Sequence, residues 1–134
     1  MLTNIQNTIT AALTGLELFK DVGFWQGDLG EVIKNPARLP AAWVLFTGLQ
    51  FTEPYTRPTV IPPCYVSFTV VLVARNLAGP NRTAESYDQI DSVCAALSGL
   101  ETEYGSLWPG AVELSSVEHG ITVYSVHVGC EYYK

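Results

Sequence analysis

The run Cys64–Ala74, CYVSFTVVLVA, constrains the fold more than any other part of the chain. Val66, Phe68, Val70 and Leu72 fall on one face of an extended strand, and Tyr65, Ser67, Thr69, Val71 and Val73 on the other. β-branched and aromatic residues at this density favour a pleated strand over a helix. Pro54, Pro58, Pro62 and Pro63 precede it, and each denies a ladder donor, so the stretch from Glu53 to Pro63 reads as an extended loop.

Other elements follow from spacing. Ile5, Ile9, Ala12, Leu13 and Leu16 recur at helical intervals, which predicts a helix over about Asn4–Thr14, capped by Thr3 or Asn4 and ended near Gly15. Leu18–Val22 reads as a short strand. Asp28 and Glu31 have capping-box spacing for a short helix carrying Leu29, Val32 and Ile33, stopped by Asn35-Pro36. Ala41–Phe46 is apolar without alternation, as in a strand buried on both faces. Ala78–Asn81 forms a turn into a helix over about Thr83–Ser98, with Tyr87, Ile90, Val93, Cys94, Leu97 and Leu100 as its apolar stripe and Gly99 as its left-handed cap. A Gly-Ser-Leu-Trp-Pro-Gly loop then leads to a hairpin, Ala111–Val117 and Ile121–Tyr133, about Glu118-His119-Gly120. This order predicts an α+β fold: a two-layer sandwich, its antiparallel or mixed β-sheet bearing two main helices on one face.

With 134 residues the chain is expected to form a single domain spanning 1–134. It is too apolar, at 48%, for intrinsic disorder. Only 15% of its residues are charged, against about 25% in an average soluble domain. A net charge of −6 argues against binding nucleic acid through phosphate contacts. The acids are also unevenly placed. Residues 1–84 hold 6 basic and 5 acidic groups, whereas residues 85–134 hold 1 basic and 8 acidic groups. Either the acidic half is a solvated face, or the subunit is polarised for head-to-tail contact with a neighbour. No signal peptide is expected from the first residues, and the longest apolar runs are too short to cross a membrane. Cys64, Cys94 and Cys130 are odd in number and widely spaced, which reads as reduced, mostly buried thiols.

Catalytic signals are weak. Neither GxxxxGK[ST] nor GxGxxG occurs, and His119 and His127 lack partners at metal-ligand spacing, so no cofactor or metal is expected. A Cys64–His127 or Cys94–His127 dyad needs only spatial proximity, but nothing local supports one. Glu85, Asp88 and Asp91 step along one helix opposite its apolar stripe, as a solvated face does. Trp43 reads as core. Trp25, Tyr55 and Trp108 read as loop residues suited to anchor an interface.

Leu39-Pro40-Ala41-Ala42-Trp43-Val44-Leu45-Phe46-Thr47-Gly48, then Val70-Val71-Leu72-Val73-Ala74-Arg75-Asn76-Leu77, then a helix opening near Tyr87, resembles the small tail-completion proteins of Mu-like phages and prophages. These in turn resemble the tail-terminator proteins of long-tailed phages. The likeness covers roughly residues 39–97. It implies a virion structural protein and no enzyme: a homo-oligomeric ring, typically a hexamer, that caps the tail tube and joins it to the head-completion or neck protein. DNA would pass through the ring without specific binding, and assembly would take place in the host cytoplasm. Under this resemblance Trp25, Tyr55, Arg57, Arg75 and Trp108 are the expected subunit or tube interface residues. A charge-poor surface suits subunits that cover one another. Two other readings stay open: a small cytosolic enzyme or ligand-binding domain with a cleft near Cys64, His127 and the Pro-rich loop, or another neck or baseplate component.

Overall fold

The computed structural model describes residues 1–25, 39–75, 80–118 and 120–132. Helix α1 spans Leu2–Gly15 and buries Ile5, Ile9 and Leu13, one residue per turn. It starts directly after Met1 with no side-chain cap, so neither Thr3 nor Asn4 performs the expected capping role. Glu17 follows in a left-handed conformation, with φ 57°. Strand β1 is Asp21–Phe24, later than the expected Leu18–Val22. The short helix expected over Asp28–Ile33 lies outside the described residues.

Strand β2 runs Ala41–Phe51 and β3 runs Cys64–Arg75. Helix α2 covers Pro80–Leu97, with proline in the first turn where its missing N–H costs no helical bond. Gly99, at φ 69°, reverses the chain after α2. Leu100 therefore lies in the short strand β4, Leu100–Thr102, rather than on the helix stripe. Tyr87 also leaves that stripe and stands exposed. Strands β5, Gly105–Glu118, and β6, Ile121–Tyr132, complete the chain.

All six strands join one sheet in the order β1-β2-β3-β6-β5-β4. Strands β1 and β2 pair in parallel; every other neighbouring pair is antiparallel. The expected sandwich of two helices on a sheet is not what forms. The sheet is a mixed, curled half-barrel, and strands dominate the described structure. Three register shifts account for the curl: between Phe46 and Gly48 in β2, and between Pro109 and Ala111 and between Leu114 and Ser116 in β5. Each places an extra residue in one strand, which bends that strand and increases its twist.

The alternation read in β3 sets the two faces. Val66, Phe68, Val70 and Leu72 join Val126 and Val128 of β6 in the main core, with α1 and with Val93 and Leu97 of α2. Val71 and Val73 join a second cluster on the opposite face, with Leu39, Ala41, Trp43, Ile121 and Val123. The central strands are thus buried on both faces at this end of the sheet, which explains the unbroken apolar run Ala41–Val44.

Candidate assembly surface

Trp43 is buried in the second cluster, where its Nε1–H donates to Asp21 Oδ2 at 3.1 Å. Trp25 packs against it with ring centroids 5.4 Å apart, so part of Trp25 serves the core rather than a neighbour. Tyr55 is exposed in the Pro-rich loop and meets Phe51 edge to face at 5.0 Å. Arg57 is exposed in the same loop. Arg75 is exposed at the end of β3, opposite Ile121. Trp108 is not in a loop. It lies within β5 opposite Gly129, and 60% of its surface is exposed.

The five expected interface residues do not converge on one patch. Trp108 begins the stretch of β5 that runs beyond β4. Strand β4 pairs with β5 only as far as Leu107, so among the described residues the outer edge of β5 from Trp108 to Glu118 has no strand beside it. Leu107 directs its carbonyl to the β4 side, where it accepts from the Gly99 N–H at 2.8 Å. Pro109, two residues on, faces the same side, so its missing N–H removes no bond to β6. That orientation lets a Trp-Pro-Gly sequence belong to a strand.

Val112, Leu114 and Val117 pair with Val126, Tyr124 and Thr122, which places them on the helix-bearing face. Leu114 and Val117 are nevertheless each 57% exposed. At the other end of the sheet, β1 covers β2 only to Val44, and Leu45, Phe46 and Phe51 are exposed beyond it. These are the apolar edges that sequence reading missed. No sequence signal marks them, because which stretch of a strand lacks a neighbour is set only once the sheet is built.

The uneven charge survives folding. Strands β4, β5 and β6 carry Glu101, Glu113, Glu118 and Glu131, with His127 as their one basic residue. Strands β1 to β3 carry Asp21 and Arg75 and are balanced. His127 lies 3.7 Å from Glu113 through Nε2, and its Nδ1 shares a 3.2 Å hydrogen bond with the Thr69 hydroxyl.

No dyad forms between a cysteine and His127. Cys64 and Cys130 point into the main core, whereas His127 and its partner Thr69 occupy the opposite face of the sheet. Burial pushes the Cys64, Cys94 and Cys130 thiols up from their ordinary range, and Asp91 adds to the effect at Cys94. Thiols so placed are poor nucleophiles. The grooves among the described residues include two open ones. One, of about 530 Å³, is lined by residues including Glu17, Lys20, Asp88 and Ser92; the other, of about 370 Å³, by residues including Tyr65, Trp108, Gly129 and Glu131. Neither is lined by a cysteine or a histidine. Among the described residues no cluster of potential metal ligands occurs, and no helix is long and apolar enough to cross a membrane.

A curled sheet with apolar edges that lie beside no strand among the described residues, and with a one-sided charge distribution, has the features of an assembly subunit. The sequence matches the model of the phage tail terminator protein family over residues 2–109, and the chain belongs to that family. The family is structural rather than enzymatic, and the chain is accordingly a structural protein of a phage tail. Among solved structures it is similar to a chain from the "virion of native gene transfer agent (GTA) particle", at 17% identity and a TM-score of 0.48. That match covers 92% of this chain and 84% of the other. No curated protein matches it in sequence.

Proposed function

We propose that the protein forms a homo-oligomeric ring of six subunits that caps the end of the phage tail tube and joins it to the head-completion or neck protein. The observation that carries this reading is the family match over residues 2–109, which includes β1 to β4, both helices and the start of β5. Support comes from edges at the two ends of the sheet that lie beside no strand among the described residues, because a subunit with different sticky ends assembles head to tail and closes when the rotation allows. The excess of acid suits a ring through which DNA slides, since like charge opposes phosphate binding. Assembly takes place in the host cytoplasm before the ring enters the virion.

Light scattering and negative-stain imaging of the purified protein, alone and mixed with purified tail tubes, test the proposal. Rings in solution or at tube ends are expected. A strict monomer that ignores the tubes would overturn it.

A further inference from the structure

We infer that the Trp108–Glu118 edge of β5 receives the Leu45–Phe51 edge of β2 from a second copy of this chain, so that the sheet of one subunit continues into the next. The inference rests on the ring reading above and supplies its contact.

Three observations favour this pairing over others. First, both edges lie beside no strand among the described residues, and a row of free backbone donors and acceptors is a template for another strand. Second, both carry exposed apolar side chains: Val112, Leu114 and Val117 on β5, and Leu45, Phe46 and Phe51 on β2. Isolated apolar residues on a surface mean little, but rows of them along free edges mark contact sites. Third, the charges select the partner. Glu113 stands at the middle of the free part of β5, so antiparallel pairing of two β5 edges about that midpoint sets Glu113 against its own copy. Strand β2 has no charged residue from Ala41 to Phe51, so it meets β5 without that repulsion. The acid-rich end of the sheet then faces the balanced end of its neighbour, a heterologous contact that repeats around a ring.

Two variants test the contact in the full chain: Leu114→Lys with Val117→Lys on β5, and Leu45→Lys with Thr47→Lys on β2. All four positions are exposed, and circular dichroism checks that each variant is folded. Each variant alone is expected to lose self-association by at least about tenfold, leaving the 14.6 kDa monomer. Mixed together they are expected to give a two-chain species, because each supplies the edge that the other has lost. Wild-type assembly by either variant, or a mixture that stays monomeric, would overturn the inference while leaving the ring reading intact. A wild-type protein that never assembles, alone or on tubes, would instead overturn the ring reading itself. If a variant does not fold, hydrogen exchange on the wild type decides. Ala111–Val117 and Leu45–Phe51 are expected to gain protection on assembly, and unchanged exchange at either edge would overturn the inference.

Discussion

The ring of Tyr65 on β3 lies over Gly129 on β6 and fills the space that a side chain at residue 129 would need. Tyr65 pairs with Glu131, so Gly129 is its diagonal neighbour, within reach of an aromatic ring. Glycine inside a strand offers no side chain to pack, and an aromatic neighbour laid across it restores that cover. Tyr65 is 42% exposed, so it has room to swing outward. Gly129→Ala is therefore expected to cost about 1 kcal/mol, the low end of the overpacking range. In Tyr65→Ala the same alanine substitution is expected to cost less, and urea unfolding of the four proteins in the cycle measures that coupling.

Gly105 has less freedom. Its φ is 130°, and an added Cβ would sit 2.6 Å from the Glu131 carbonyl oxygen, a backbone atom that cannot turn aside. Gly105→Ala is expected to destabilise the β4–β5 turn by about 2 kcal/mol or more, from backbone strain and overpacking together. A lowered thermal midpoint is the readout.

Leu13 is fully buried where α1 meets the main core. Leu13→Ala is expected to cost about 2–5 kcal/mol, a large share of the stability of a small domain. Leu114→Ala, at an exposed edge position, is expected to stay within about 0.5 kcal/mol of the wild type. Comparing the two by urea unfolding separates residues that hold the fold from residues exposed along the β5 edge.

The three thiols are held above their ordinary range mainly by burial. Raised pKa values of this kind contribute stability that is complete below the ordinary thiol range and is lost as pH climbs through the folded-state values. Iodoacetamide labelling of the native protein is therefore expected to need a higher pH than labelling of the unfolded chain. Rapid labelling of the native protein at neutral pH would contradict this and revive a thiol-based activity.

Several elements are legible in the sequence because period-two and helical spacing report local geometry directly, though the two-layer sandwich expected from them is not what forms. Strand β3, the buried stripes of α1 and α2, and the β5–β6 hairpin all belong to that kind. The curl is a different matter. It arises from bulges near Gly48, Gly110 and Ser115, and a one-residue shift between strands leaves no periodic trace. Trp108 and Pro109 were misleading for a related reason. Proline argues against a strand unless that strand is an edge with the proline facing outward, and edge position is a property of the whole sheet. Strand β4 was hidden by Leu100, which has helical spacing from Val93 and Leu97 but lies beyond the reversal at Gly99. At the candidate assembly surface, the sequence showed the acidic half but not the edges left without a strand among the described residues, because pairing partners are known only once the sheet is built.

Counting labelled subunits at the ends of tail tubes tests the central claim most directly. Singly labelled protein is mixed with purified tubes, and single-molecule bleaching steps are recorded along each tube. The account predicts label confined to tube ends, with about six subunits at each occupied end, as for one closed ring. Label spread along the tube walls, or single subunits at the ends, would contradict it.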